Sequence, residues 1–472
     1  MSSNSSIVRS KPMPHPLLAS AKDASKPVWL VTEQTWPDVA GQLPQLAQGF
    51  AKAQGFEGKA GSHCLLPGAD GGLMGVVFGL NGADARHNDP FLVGKLPTLL
   101  PDGVYRFETD APNPALATLA WLLGSYSFGR YRKRSEKSVR LVTPKDVDAE
   151  EVSHIANAVV TSRDLVNTPT SDLGPDGIEA AARRLAENHG ASFTSIVGDD
   201  LLKQNFPMIH AVGRASAIPP RLIDFTWGKA DAPCVTLVGK GVAFDTGGLD
   251  IKPASSMLLM RKDMGGAAAT LALASMIMDA KLPVRLRVLI PAVENSISSN
   301  AFRPGDILAS RKGISVEIGN TDAEGRLILA DALALADEES PDLLVDFATL
   351  TGAARVALGP ELPPFYTDDD ALAADIARHG SSVNDPVWRM PLWTPYQSQL
   401  DSKFADMNNT GGPMGGSITA ALFLRRFVAA AKAYVHFDIF AWNSSTKPAR
   451  PEGGEVQAAR AMFALLKERY GS

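Results

Sequence analysis

Asn320-Thr321-Asp322-Ala323-Glu324-Gly325-Arg326-Leu327 follows a β-branched run, Ile314, Val316 and Ile318, and precedes an apolar helical pattern. Strand, acidic turn and helix in succession are the punctuation of an α/β chain. Asp322 and Glu324 lie two residues apart, so an extended segment would present both carboxylates on one face, with Arg326 on the same alternation. Two acids aimed the same way repel. A divalent cation between them removes the repulsion, because hard cations take carboxylate oxygen and offset its desolvation. The same acids would also suit the first turn of a helix beginning near Leu327, and both uses stay open at this point.

Working outward, short apolar runs alternate with helical patterns. Strands are expected at Arg221 to Trp227, Cys234 to Val238, Val284 to Ile290, Ile314 to Ile318, Leu343 to Phe347 and Tyr434 to Ile439. Helices are expected at Asp176 to His189, Gly266 to Asp279, Leu327 to Ala336, Ser417 to Ala431 and Glu455 to Lys467. Runs such as Leu343-Leu344-Val345 predict a mixed, largely parallel sheet covered by helices on both faces. A smaller α/β domain precedes it, with strands at Val28 to Val31, Leu73 to Phe78 and Gly103 to Phe107 and helices at Leu43 to Gln54 and Pro114 to Gly124. The expected organisation is a loose Ser, Lys and Pro-rich leader at 1–25, an N-terminal α/β domain at 26–148 and a larger C-terminal α/β domain at 149–472. The cationic stretch from Leu123 to Lys137 suits a solvated helix end or a contact between subunits.

A second acidic cluster lies where the strand at Cys234 runs out, in GKGVAFDTGGLDIKP (239 to 253). Glycines there let the backbone come close to a ligand, and in α/β sheets sites gather at strand carboxyl ends. Neither a phosphate-binding GxxxxGK followed by Ser or Thr nor a GxGxxG fingerprint occurs in it. It offers instead Asp245 between Lys240 and Lys252, with Asp263 following in MRKDMGG. Asp263 would also cap the helix that follows, and Lys240 would also make a plain ion pair with Asp245. Asp245, Asp263, Asp322 and Glu324 suffice to hold two divalent ions. The eight histidines show no HExxH spacing, so an oxygen-rich dinuclear site fits better than a single zinc.

Composition bounds the alternatives. Apolar residues make up 45% of the 472 and charged residues 21%, which suits a folded chain with a large core. A net charge of −5 argues against nucleic acid as the main partner. Cys64 and Cys234 stand far apart in unlike contexts, so a disulfide framework is not expected and a reducing cytoplasm is the default compartment. No signal-peptide core and no run of about 18 apolar residues occurs, so no membrane span is expected.

NTDAEGRL, VGKGVAFDTGG, IKPASSMLLMRKDMGGAAA and DFATLTGA (346 to 353) together resemble the leucyl aminopeptidase family, the dinuclear cytosolic aminopeptidases. The similarity runs over about 140–440 and takes in RDLVNTPTSDLGP, AFRPGDIL and FADMNNTGGPMGGSITAALFL. It implies that Lys240, Asp245, Asp263, Asp322 and Glu324 ligate two metal ions, manganese or zinc. It implies that Lys252 stabilises the oxyanion and that Arg326 holds a bicarbonate acting as base. Met260, Asn320, Thr349, Leu350 and Gly352 would line the substrate cleft, although periodicity alone would place Met260 and Leu350 in a core. Lys240 could ligate only as a neutral amine, which nearby dications favour.

The resemblance further implies short peptides as substrates and a homohexamer. The segment HFDIFAWNSSTKPARPEGGEVQAARAMF (436 to 463) departs from the glycine-rich HLDIAG-type ending of many relatives, and SISSNAF around Asn300 replaces a more usual glycine-bearing loop. The first of these leaves the preferred N-terminal residue open. A two-metal phosphoesterase, and a DNA-binding or structural member of the same fold, are the competing readings.

Overall fold

The computed structural model describes residues 15–82, 86, 88–132 and 137–471. The chain divides into two compact units, Met1–Asn157 with Lys447–Pro451, and Ala158–Thr446 with Glu452–Ser472. In the first unit, β1 (Leu18–Ala19), β2 (Lys26–Val31), β3 (His63–Pro67), β4 (Leu73–Gly79), β5 (Gly103–Phe107) and β6 (Val139–Val142) form one sheet in the order β1-β6-β5-β2-β4-β3. Leu18 and Ala19 fall inside the stretch expected to be a loose leader, yet they pair in parallel with Leu141 and Val142. The helix expected from Leu43 to Gln54 runs Gln45–Ala53, and a further helix that was not expected, Trp36–Gln42, precedes it; the two are separated at Leu43-Pro44, where proline cannot continue the ladder. Helix Pro114–Gly124 seals one face with Trp121, whose indole N–H donates to Val139 O at 3.1 Å. Beyond it Arg130, Tyr131 and Arg132 are exposed, and 133–136 of the cationic stretch lie outside the described residues.

The second unit is built on a nine-stranded mixed sheet. Its strands are β7 (Ser192–Val197), β8 (Arg221–Trp227), β9 (Cys234–Gly239), β10 (Gly241–Asp245) and β11 (Arg285–Asn295), followed by β14 (Leu343–Ala348), β15 (Pro364–Tyr366), β16 (Trp388–Arg389) and β18 (Tyr434–Asp438). The short β12 (Ile307–Ala309), β13 (Ser315–Glu317) and β17 (Met407–Asn408) make a separate small sheet. The order is β16-β15-β18-β14-β9-β11-β8-β7, with β10 on β11. The central pairs β18/β14, β14/β9 and β9/β11 are parallel. Their apolar runs are buried along their length, as a sheet covered on both faces requires.

Helix Gly265–Asp279 explains its own composition, GGAAATLALASMIMD. Its start presses on the ends of β9 and β14: Lys240 N donates to Phe347 O at 3.0 Å, and Ala267 N donates to Lys240 O at 2.8 Å. A Cβ on Gly266 would stand 2.2 Å from Phe347 O and 2.9 Å from Lys240 N, both backbone atoms that cannot turn aside. Gly266→Ala is therefore expected to destabilise the fold by about 3 kcal/mol or more, as overpacking at a rigid contact does, read as a lowered midpoint in urea.

Two helix ends move for reasons outside their local sequence. The helix expected to reach Ala431 ends at Arg425, because the Asp337 carboxylate takes the N–H groups of Ala429, Ala430 and Ala431 at 2.8 Å each. The last helix spans Ala459–Tyr470 and not Glu455 to Lys467, since Glu455 is drawn into a buried ion pair with Arg163 at 3.0 Å.

Candidate metal centre

Strand ends and turns deliver every polar group of the site. Lys240 follows β9, Asp245 ends β10, and Thr349 follows β14. The loop after Asp245 turns through Gly247 and Gly248 at φ +87° and +66°, conformations that favour glycine. Thr321 fastens that loop to the 320–324 turn, its hydroxyl donating to Gly247 O at 2.6 Å while its N–H donates to Asp250 Oδ2 at 2.8 Å. Asp263 leaves the short 3₁₀ turn Met260–Met264. Asp322 lies in a turn and Glu324 is the first residue of helix Glu324–Asp337, so the pair does not leave an extended strand as the spacing suggested. The turn brings the two acids together all the same, because Asn320 Oδ1 accepts from Asp322 N at 2.7 Å and fixes it.

One oxygen each from Asp245, Asp322 and Glu324 lie within 4.8 Å of one another. Lys240 Nζ sits 2.8 Å from Asp263 Oδ2 and 3.0 Å from Glu324 Oε1, and donates to Thr349 O at 2.9 Å. Thr349 Oγ1 donates to Asp263 Oδ1 at 2.7 Å. Lys252 Nζ is 2.8 Å from Asp245 Oδ2 and also contacts Asp322 Oδ1. Asp245 Oδ1 accepts from Gly247 N and from Asn295 Nδ2, each at 2.8 Å. Apart from Asp322, which is partly exposed, these acids are buried.

The electrostatics are those of crowded acids. Burial, with Asp245 and further acids adding to it and Lys240 opposing, pushes Glu324 up to about 8. Burial and Asp245 push Asp322 up to about 6 against the pull of Lys252. Burial works against the Asp263 carboxylate, but Lys240 and Lys262 outweigh it and hold its pKa low. For Lys240 and Lys252 the surrounding carboxylates likewise outweigh burial and raise both ammonium groups above their ordinary range. Glu324 Oε2 is buried without a hydrogen-bond partner among the described residues, and Asp263 Oδ2 and Asp322 Oδ1 face lysines at angles that make no hydrogen bond. Converging carboxylate oxygens that repel one another and have unmet acceptor capacity are a donor set suited to hard divalent ions.

These groups open on a cavity of about 590 Å³, onto which Lys240, Asp245, Lys252, Met260, Asp263, Asp322, Glu324, Thr349, Leu350 and Gly352 all face. Asn320 and Arg326 do not line it. Asn320 braces the turn, and Arg326, on the first turn of its helix, donates Nη1 to Asn409 O at 2.7 Å. Burial brings the Arg326 guanidinium down to about 10.

Sequence reasoning passed over Lys262, Arg355, Asp438 and Phe440. Asp438 is fully buried at the end of β18 and accepts from Leu350 N at 3.0 Å, Thr351 N at 3.2 Å, Thr351 Oγ1 at 2.6 Å and Arg355 Nη1 at 2.8 Å. It thereby holds the loop whose Thr349 touches Lys240 and Asp263. The available signal was a buried-strand pattern, YVHFD, ending in an acid. Burial brings Lys262 down to about 7, with Asp263 opposing and Arg355, Lys240 and Lys252 adding to the fall.

With this geometry in hand, comparison with known proteins is specific. Residues 160–463 match the catalytic domain of the cytosol aminopeptidase family, and residues 27–144 match the M17 aminopeptidase N-terminal domain. A probable cytosol aminopeptidase of Syntrophotalea carbinolica is 41% identical over 365 residues, 74% of this chain and 73% of the relative. One from Chlorobium limicola is 34% identical over 482 residues, 92% and 96% of the two chains. The crystal structure of the cytosol aminopeptidase from Coxiella burnetii superposes with a TM-score of 0.92 at 44% identity, covering 97% of this chain and 100% of that one. The bottromycin maturation enzyme BotP in complex with Mn gives a TM-score of 0.85 at 33% identity, over 95% and 100% of the chains. Two matched domains, full-length relatives and a cleft of converging acids agree: the chain belongs to the cytosol aminopeptidase family of dinuclear metal enzymes, and is a metal-dependent, leucyl-type hydrolase that removes residues from peptide N-termini.

Proposed function

We propose that Lys240, Asp245, Asp263, Asp322 and Glu324 hold two divalent ions, manganese or zinc, and that short peptides are cleaved beside them. The observation that carries this reading is the convergence of three carboxylate oxygens within 4.8 Å at the floor of the cavity. Manganese has support from BotP, which binds it at 33% identity to this chain. When bound, two such ions supply a water acidified enough to attack a peptide carbonyl, together with a cation for the carbonyl oxygen.

The remaining work falls to side chains. Lys240 ligates only as a free amine and must give up the proton that pairs it with Asp263 and Glu324. Lys252, kept protonated by the surrounding acids, donates to the carbonyl oxygen as negative charge gathers there. Arg326 cannot act as a base itself. Its buried Nε has no hydrogen-bond partner among the described residues, which supports a role in holding a small anion such as bicarbonate that takes the proton of the attacking water. Met260, Thr349, Leu350 and Gly352 contact the residue to be released, and Asn320 acts through the turn it braces.

The family match favours this chemistry over a phosphoesterase or a DNA-binding role. No helix among the described residues is long and apolar enough to cross a membrane, and a cytoplasmic place accords with the relatives' designation. Exposed Leu258, Val356, Trp388, Trp393, Phe404 and Met414 give a hexamer apolar surface to cover. Light scattering giving six times 50.1 kDa is the expected result.

Exhaustive chelation with EDTA or phenanthroline is expected to abolish hydrolysis of leucine p-nitroanilide, and Mn²⁺ or Zn²⁺ to restore it. Full activity in a protein shown by elemental analysis to be metal-free would reject the metal mechanism.

A further inference from the structure

Apart from the four acids of the ion site, every ionisable side chain facing the cavity is basic. Lys240 and Lys252 are matched by those acids, which leaves Lys262 and Arg355. Both stand over one aromatic ring: Lys262 Nζ lies 4.7 Å and Arg355 Cζ 5.3 Å from the centroid of Phe440. Lys262 is only 3% exposed, yet its ammonium makes no hydrogen bond and no ion pair among the described residues. A ring face attracts a cation but leaves its three N–H donors unmet, and a buried charge without a counter-ion is expensive to keep. Arg355 spends Nη1 on Asp438 at 2.8 Å, which aims the guanidinium, and its other nitrogens make no hydrogen bond among the described residues.

A lysine amine that makes no ion pair among the described residues, beside a guanidinium only half-engaged by Asp438, forms on one wall a receptor for an anion brought by the substrate. Resting on the aminopeptidase reading, we propose that Lys262 and Arg355 recognise a carboxylate of the peptide close to the bond being cut. The enzyme then favours peptides bearing a free acid there over neutral ones. Two parts of a short peptide carry that group: the side chain of an N-terminal aspartate or glutamate, and the chain-end carboxylate of a dipeptide. Met260 and Leu350 on the same cavity still offer apolar contact, so neutral substrates are turned over less efficiently and not refused.

The test compares kcat/KM of the full-length, manganese-loaded enzyme on two substrate pairs. Glutamyl and leucyl p-nitroanilides both lack a chain-end carboxylate, and Leu-Gly and Leu-Gly amide differ only in having one. A preference of about tenfold or more for the acidic member of at least one pair is expected, and the pair that shows it identifies the carboxylate recognised. Lys262→Met, which keeps the apolar bulk, is expected to lower kcat/KM for the acidic member about tenfold more than for its neutral partner, chiefly through KM. Lys262→Arg should restore the preference and Arg355→Gln should weaken it. No preference in either pair, or an equal loss on both members in Lys262→Met, overturns the proposal while leaving an aminopeptidase. Failure of the wild type to hydrolyse any of the four overturns the aminopeptidase reading and the proposal together.

Discussion

Replacing Glu324 by alanine is expected to abolish peptide hydrolysis and metal content together. Glu324 is 1% exposed, one oxygen lies 3.0 Å from Lys240, and the other is buried without a hydrogen bond among the described residues. Its acidic neighbours are engaged elsewhere, Asp245 and Asp322 with Lys252 and Asp263 with Lys240. Loss of an outer-sphere partner in metal proteins costs roughly 10–100-fold in affinity or activity, and loss of an inner ligand should exceed that. Elemental analysis and turnover of leucine p-nitroanilide measure the two effects. Unfolding is the competing cause of a dead variant, so far-UV circular dichroism belongs beside them, with Glu324→Gln keeping the shape. Normal turnover in a folded Glu324→Ala or Asp322→Ala variant would remove the ligand assignment.

Lys252→Ala is expected to separate the two properties that Glu324→Ala loses together. The ammonium touches Asp245 and Asp322 yet comes from a different loop, after the Gly247-Gly248 turn, and keeps 13% of its side chain open to the cavity. Removing it deletes a positive neighbour of the acids, so ions should bind no less well. Turnover should nevertheless fall by about 10²–10³, the loss typical of a missing oxyanion donor, and the fall should appear in kcat more than in KM. Unchanged kcat would take the oxyanion role from this residue, and lost metal would move it to the ion site.

What could be read in the chain was what is encoded locally. β8 was bounded to the residue because Arg221 to Trp227 lies between Pro219-Pro220 and Gly228. The acids of the site were legible because each lies within a few residues of a strand end or a glycine turn. What escaped depends on partners far along the chain. Asp337 cuts a helix short by capturing amides 92 to 94 positions away, and nothing near Ala429 announces it. Asp438 looked like no more than the polar end of a strand until its contacts with the 350–355 loop were seen. Lys262 sat in MRKDMGG among other charges, and only its burial with no ion pair among the described residues sets it apart. Asn320 adjoins the acid pair in sequence, but its side-chain oxygen is committed to the backbone of Asp322 and it does not face the cavity.

The tight seating of helix Gly265–Asp279 against β9 and β14 bears on how such an enzyme can be re-tooled. Any side chain larger than hydrogen at Gly266 collides with main chain, so this seam between helix and sheet admits no substitution there and laboratory libraries aimed at it would be wasted. Ser255 and Ser256, on the short helix Ala254–Met257, and Pro360 and Ser444, in loops, border the cleft. Randomising those four positions is where new selectivity can be sought with the hydrolytic machinery left intact.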